Sequence, residues 1–237
     1  MDEFFVLTIG GFAQYRHAWY ESLHDDHHEP PRCPVCAMPI GGMRPAPPYR
    51  VRIKQPRRVG DFLTSAGGFD CAVSERFADA YRRAGLSGIE AFHLLEIVSM
   101  GTTAKARTYP EPVLHGVQLQ RGPSRLDYAQ SGVEWWKTPD PQYCRACGPG
   151  GGGAGGIALR LGPLVLETGT WSGEDFFFPI NLAGTILVSQ RAARFVERER
   201  FENVALTSAR AWRYHMIEPP QRSDPFMESQ PPRPTRH

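Results

Sequence analysis

The chain has 237 residues and a formal net charge of +2, with hydrophobic residues at 41% and charged residues at 22%. This composition is ordinary for a globular protein with a real core, and the charge is too small to require a nucleic acid or an acidic membrane as a partner. No apolar run approaches the roughly 18 residues that span a bilayer, which argues against membrane insertion.

The first predicted element is a strand from Phe4 to Ile9, where apolar residues follow two acids, Asp2 and Glu3. A secretory signal would carry Lys or Arg in place of these acids. We therefore expect a cytoplasmic protein, whose cysteines are kept reduced.

Two helices and several further strands are predicted along the chain. The first helix runs from Glu75 to Ala84, because Ser74 can cap its start and Gly85 can end it. The second helix runs from about 189 to 200. Their apolar faces are predicted to be buried, and consist of Phe77, Ala80, Tyr81 and Ala84 in the first and Ala192, Ala193, Phe195 and Val196 in the second. Strands are predicted at 49–53, 91–98, 113–120, 157–168 and 205–215.

Two segments are predicted to lack regular structure. Residues 148–156 are almost all glycine and are interpreted as a flexible linker, since a strand-like segment follows where a phosphate-binding loop would need a helix. The tail 218–237 is rich in proline and polar residues, and is predicted to be disordered.

The two halves of the chain share an order of features, which favours a duplicated αβ unit over chance. From the second cysteine of each Cys-x-x-Cys pair to a Val-Ser helix start is 37 residues at Val73 and 41 residues at Val188. We expect an α+β fold in which one globular domain, residues 1–217, is built of two similar units at about 1–120 and 121–217.

Acidic residues also recur at matching places, with Asp61 in the first half and Glu174 and Asp175 in the second. This recurrence predicts a shared capping or turn role rather than catalysis. His93 and His115 lie in strand-like contexts, and no Gly-x-Ser-x-Gly nucleophile motif is present. We therefore expect a protein that is not an enzyme.

Four of the five cysteines form two pairs, Cys33 with Cys36 and Cys144 with Cys147. A Cys-x-x-Cys turn supplies two thiolates from one tight knuckle, and two knuckles complete the tetrahedral site of a structural zinc ion. Compared with a short zinc ribbon, the 107 residues between the pairs add only about 1–2 kcal/mol of closure entropy. Structural zinc binding is worth on the order of 10 kcal/mol. We predict one Zn²⁺ ion in a zinc-ribbon-like site of four cysteines that joins the two units.

The knuckles differ at the residue after the second cysteine. Gly148 suits the positive φ that such turns often need, whereas Ala37 tolerates it less well. Two alternatives remain open for these cysteines, namely free thiols and redox chemistry at Cys33–Cys36. The redox alternative is disfavoured because Pro39 and two glycines, which follow Met38, oppose the helix that lowers a redox thiol's pKa.

Nearby residues offer few other ligands. Cys71 has no partner in the sequence and is predicted to be a small buried residue. His24, His27 and His28 precede the first knuckle and are more simply interpreted as part of a solvated loop.

The segment 44–58 is basic and gives the main alternative function, nucleic-acid binding beside the first knuckle. Its cations include Arg50, Arg52, Lys54, Arg57 and Arg58. The same pattern fits an edge strand that uses charge to prevent pairing with other sheets, and we favour this interpretation. The adjacent Trp135 and Trp136 should point to opposite faces of a strand, which would suit a protein interface near Tyr143.

Taken in order, these features resemble the myxobacterial paralogous family with a double CXXCG motif. The matching pieces are 33–36, 144–148, the Gly-Asp-Phe step at 60–62 and the helix start at 73–77, with Ala37 in place of the family's glycine. The resemblance covers about 1–217 and implies immunity proteins, which protect a cell from a polymorphic toxin exchanged between sibling cells. We accordingly expect a stoichiometric inhibitor of a cognate protein toxin, with the four cysteines as zinc ligands.

Overall fold

The computed structural model describes residues 3–10, 17–23, 26–54, 58–66, 68–101, 112–137, 144–148, 157–182 and 184–215. Within these ranges the fold is α+β, with many short strands and two helices. Neither helix is long and apolar enough to cross a membrane. The predicted linker beyond Gly148 and the predicted disordered tail, 218–237, lie outside the described residues.

The helices and strands follow the predicted order. Their bounds agree with the prediction where the sequence signal was strong, and a predicted strand is divided or shortened where the signal was weak. In chain order they are β1 (Phe4–Ile9), β2 (Trp19–Ser22), β3 (His27–His28), β4 (Arg44–Pro45), β5 (Arg50–Lys54), β6 (Phe62–Leu63), β7 (Ser65–Ala66), β8 (Cys71–Ser74), α1 (Glu75–Ala84), β9 (Ile89–Leu94), β10 (Glu96–Met100), β11 (Leu114–Leu119), β12 (Glu134–Lys137), β13 (Ile157–Leu161), β14 (Phe176–Phe177), β15 (Ile186–Ser189), α2 (Gln190–Glu199), β16 (Val204–Ser208) and β17 (Tyr214–His215). The strand predicted at 91–98 is two strands, and that predicted at 157–168 ends at 161.

Two antiparallel sheets of four strands have the same arrangement of strands. One has the strand order β6-β8-β11-β9, and the other has the order β14-β15-β1-β16. In each sheet the second strand leads directly into a helix that packs back on the sheet, and the next strand along the chain forms the far edge. The two sheets therefore correspond element by element.

The third strand of each sheet comes from the other half of the chain. β1 lies between β15 and β16, with Phe4 opposite Ser189. β11 lies between β8 and β9, with Leu114 opposite Ser74. Because β11 occupies the position of β1, the second set of equivalent elements begins at 114, slightly before the boundary expected near residue 120. Each half thus gives its first strand to the other half's sheet.

The two helices begin and end as predicted. Ser74 and Ser189 are the N-caps, and each serine hydroxyl accepts the backbone N–H three residues further on at 3.2 Å. Gly85 and Arg200 are the C-caps, in the left-handed region with φ of 59° and 52°. Arg200 makes this turn without the conformational freedom of glycine.

Asp61 and Asp175 brace these caps, which confirms the capping role predicted for them. Each carboxylate accepts the hydroxyl of its N-cap serine at 2.7 Å. Each also accepts a backbone N–H from just beyond the other helix, from Glu202 at 2.8 Å and from Ser87 at 3.0 Å respectively. Glu174 instead accepts a hydroxyl within its own turn.

Arg76 and Arg191 extend this connection between the helices. Arg76 pairs with Asp61 and donates to the last carbonyls of α2, at 3.1 and 3.4 Å. Arg191 pairs with Asp175 and donates to the last carbonyls of α1, at 2.9 and 2.8 Å. A cation at a helix C-terminus favours the helix dipole. The first turn of each helix therefore stabilises the last turn of the other.

One core joins both helices and the two matching antiparallel sheets. Its members include Leu7, Val73, Phe77, Tyr81, Val117, Val188, Phe195 and Val196. Two further sheets, one of four strands and one of three, cover the outer faces. The sheet β10-β5-β2-β7 packs Tyr20 and Ile53 against Leu63, and the sheet β12-β13-β17 packs Leu161 against Val6.

β5 is an interior strand, so the edge-strand interpretation of the basic segment is wrong. β5 pairs with β2 on one side and with β10 on the other. Its cations lie on the outer face beside acids on the neighbouring strands. Arg52 and Lys54 reach Glu21 at 3.0 Å, and Arg50 reaches Glu96 at 3.3 Å. The alternation reflects cross-strand charge pairing on a half-buried sheet.

Candidate metal centre

The two Cys-x-x-Cys segments fold into matching turns. In each turn the residue after the second cysteine donates its N–H to the carbonyl of the first, from Ala37 to Cys33 at 2.9 Å and from Gly148 to Cys144 at 2.7 Å. Ala37 and Gly148 have φ of 59° and 63°. The positive φ predicted for this position is therefore confirmed in both knuckles, although one of them carries a Cβ.

The first knuckle is the tip of a small hairpin. Cys33 donates its N–H to the carbonyl of Met38, and Ile40 donates to the carbonyl of Pro31, both at 2.8 Å. Residues 37–45 contain no helix. The thiols of this pair therefore lack the helix N-terminus that lowers the pKa of a redox-active Cys-x-x-Cys.

The fold brings the four paired cysteines together across the two halves of the chain. Their sulfur atoms all lie within 4.8 Å of one another, with Cys33 Sγ 4.0 Å from Cys144 Sγ and Cys36 Sγ 3.6 Å from Cys147 Sγ. A Zn–S bond of about 2.3 Å places the sulfurs of a regular tetrahedron about 3.8 Å apart. The cluster therefore has the size of a metal site, and its four cysteines are free thiols with no disulfide between them.

The cluster is enclosed by apolar side chains on its inner side. Cys33 and Cys147 are buried and pack with Ile40 and Ile180, whereas Cys36 and Cys144 are half-buried. A hydrogen bond from the N–H of Cys147 is the main cause that lowers the pKa of Cys144 to about 7. Burial raises the pKa of Cys147. A bound cation would favour the thiolate at both positions.

Other candidate ligands lie away from the cluster. Cys71 is buried in the main core, where burial raises the pKa of its thiol, as predicted for a small core residue. His27 and His28 are exposed in β3 and, among the described residues, do not join the sulfurs, while His24 lies outside the described residues. His115 is buried and bonds to the Glu75 carboxylate through Nε2.

Trp135 and Trp136 lie in β12, as predicted, and both are half-buried. Trp135 packs edge-on against Tyr128 with ring centroids 5.5 Å apart. Tyr143 and Arg57 lie outside the described residues.

Sequence reasoning missed a recess beside the first knuckle. It has a volume of about 730 Å³ and is lined mainly by apolar residues, with Arg121 and Asp70 in its wall. The same two residues also line an adjoining recess of about 220 Å³. Arg121 follows β11 and Asp70 precedes β8, and no local pattern marks either residue. Only the pairing of β8 with β11 brings them together.

In structural terms the chain is an α+β protein with a four-cysteine cluster that can hold a metal ion. Neither a model of a known protein family nor a curated protein matches its sequence.

Proposed function

We propose that Cys33, Cys36, Cys144 and Cys147 bind one Zn²⁺ ion, which clamps together the halves of a protein that acts by binding another protein. The observation that carries this proposal is the convergence of four sulfurs, two from each half, within 4.8 Å. An all-sulfur tetrahedral set suits zinc, and four protein ligands leave no open position for a substrate. The ion's contribution is therefore structural.

Native mass spectrometry of the protein purified without added metal tests the zinc proposal. The wild type is expected to carry one zinc, which disappears in Cys144→Ser/Cys147→Ser. Cys71→Ser is the matched control, because Cys71 lies in a different buried cluster, and it should keep the metal. A wild type that is folded but free of metal would contradict the proposal.

The clamped protein is a cytoplasmic immunity protein, which binds a cognate toxin and inhibits it stoichiometrically. Support comes from the resemblance to the family with a double CXXCG motif, and from the exchanged strands that connect the two halves. The nucleic-acid alternative has less support, because Arg50, Arg52 and Lys54 each have an acidic partner on a neighbouring strand. These pairings reduce the charge available to phosphates.

Growth rescue tests the immunity function. Candidate toxin domains from the source genome would be expressed one at a time in a bacterial host, with and without this chain. One toxin should be neutralised by the wild type, and a Cys144→Ser/Cys147→Ser variant should protect less well because its scaffold is loosened. If a folded, zinc-loaded wild type rescues growth from none of the toxins but shifts duplex DNA in a gel, the nucleic-acid alternative replaces this proposal.

A further inference from the structure

Arg121 is held in place on several sides. Its side chain is only 12% exposed, and its guanidinium lies over the ring of Phe178 at 4.7 Å. The backbone of Gly41, which follows the first knuckle, approaches so closely that a Cβ there would lie 2.6 Å from Arg121 Nε. The absence of a side chain at Gly41 leaves room for the guanidinium.

Within the part of the chain that the structure describes, most N–H donors of Arg121 have no hydrogen-bond acceptor. A guanidinium has five N–H donors, and within the described residues it donates only to Asp70 Oδ1, at 3.2 Å. The other oxygen of Asp70 accepts the N–H of Leu119 at 2.9 Å. Arg121 lines both recesses, so a ligand in either recess could accept hydrogen bonds from its remaining N–H donors.

The smaller recess has two arginines and one acid in its wall, with a second acid beside it. Arg44, Arg121 and Asp70 line it, and Glu90, which pairs with Arg44 at 2.9 Å, also acts electrostatically on Asp70 and Arg121. Burial raises the pKa of Asp70, and the N–H of Leu119 and the charge of Arg121 oppose that rise. An incoming carboxylate could accept two N–H groups from the Arg121 guanidinium.

The larger recess supplies an apolar surface next to this charge. Its wall includes Ile40, Phe69, Phe178 and Trp212. Its volume of about 730 Å³ is within the roughly 300–1,000 Å³ of ligand sites, which combine apolar walls with a few converging polar groups. At the rim of the smaller recess Met43 is 58% exposed, and it offers an apolar contact to a protein that covers the opening.

We propose that these joined recesses bind an acidic side chain of a protein partner, with its carboxylate on Arg121 and an adjoining apolar side chain in the larger recess. That the partner is the toxin rests on the proposed function. Arg121 is then the residue that anchors the partner. Gly41, which leaves room for the Arg121 guanidinium, follows the metal knuckle in the chain, so the position of the knuckle affects the shape of the binding site.

N-acetylphenylalanine is a suitable probe, because it carries one aromatic ring and one carboxylate. Its binding to the full-length zinc-loaded protein would be followed by the Arg Nε–Hε signals in NMR. The neutral amide of the same compound serves as the matched ligand. The acid should shift the Arg121 signal and bind about ten-fold more tightly than the amide, the difference expected for a charge-assisted contact.

The variant Arg121→Gln/Asp70→Asn removes both charges together, so that no unpaired buried charge is left to unfold the protein. It should abolish the preference for the acid, whereas Arg125→Gln should keep it, because Arg125 pairs with Glu167 outside both recesses. Gly41→Ala, which displaces the guanidinium without removing it, should also weaken binding. Equal binding of acid and amide, or a preference that survives the double variant, would overturn the proposal. Since no toxin is used, that result would leave the immunity function standing.

Discussion

Ala37 and Gly148 occupy equivalent positions in the two knuckles, yet only one is glycine. A Cβ in the left-handed region costs about 1 kcal/mol. At Gly148 a Cβ would also lie 3.0 Å from the Asn181 Cβ and 3.0 Å from the Tyr128 hydroxyl. The first knuckle therefore tolerates a strain that the second cannot accommodate.

Exchanging the residue types should have opposite effects on the two knuckles. Ala37→Gly is expected to raise the free energy of unfolding by up to about 1 kcal/mol, because the strain is removed. The gain is reduced because glycine adds conformational freedom to the unfolded chain. Gly148→Ala should destabilise by about 2 kcal/mol or more, because strain and crowding add. Urea unfolding of the zinc-loaded proteins measures both values. Gly42→Ala is the control, since a Cβ there meets no atom within 4 Å; loss of stability in Ala37→Gly would contradict the strain argument.

The ionisation of the Asp61 carboxylate makes the stability of the fold depend on pH. Burial by itself raises the pKa of Asp61, but hydrogen bonds from Arg76, from the Ser74 hydroxyl and from the Glu202 N–H outweigh it and hold the pKa below its usual value. A lowered native pKa means that the carboxylate stabilises the fold above the unfolded pKa of about 3.9. That contribution is lost as pH falls through the lower native pKa.

Asp61→Asn should therefore destabilise the protein by about 1–3 kcal/mol at pH 7. The difference from the wild type should shrink below about pH 4 as the wild-type carboxylate is protonated. Urea unfolding of both proteins between about pH 7 and about pH 3 measures this difference, and acid release of metal affects both alike. A difference that stays constant over this whole range would show that the charge of Asp61 is not what stabilises the caps.

At the scale of elements, the helices are stabilised by each other as well as by their own sequences. Arg76 and Arg191 are each about half exposed, yet they contact the final carbonyls of the opposite helix. The apolar faces supply the larger share of the packing, through Phe77 and Phe195 with ring centroids 6.0 Å apart. The arginines fix how the two helix ends align.

Arg76→Met and Arg191→Met should each cost about 1–2 kcal/mol, a value limited by the exposure of both side chains. Arg83→Met and Arg194→Met are matched controls on the same helices, since both are exposed and neither makes a hydrogen bond within the described part of the chain. Thermal unfolding of the four variants checks this expectation. Equal losses in all four would assign the effect to helix composition instead of the contacts.

At the scale of the whole molecule, the halves are connected by exchanged strands and by the cysteine cluster. β1 is paired on both sides by strands of the second half, and β11 by strands of the first. Cutting the chain between the halves would break none of these pairings.

A protease site inserted within residues 102–111, outside the described ranges, tests this arrangement. After cleavage the two fragments should stay together as one species in gel filtration, and should separate only in denaturant. The same insertion within residues 55–57, inside the first half, is the comparison. Spontaneous separation of the halves at neutral pH with zinc bound would show that the exchanged strands contribute little.

The predicted and unpredicted features differ in the range of the interactions that specify them. Both helices were predicted to within a residue because Ser74 and Gly85 act on their own neighbours. The charge pattern of β5 was visible, but its position was not, because Glu21 and Glu96 join it only through strand pairing. Short strands such as β6 and β14 have too few residues to show a period.

The sequence by itself determined the local features of this protein, namely the helices, their caps and the two cysteine turns. Turn geometry and capping depend on residues a few positions apart, so their signals are present in the chain. The paired cysteine spacing also predicted that the four sulfurs converge, which the structure confirms. Only the tertiary structure decided that β1 and β11 exchange sheets and that Arg121 meets Asp70 beside an open recess. Such contacts join residues tens of positions or more apart, and their free energy comes from packing and pairing that no local spacing records.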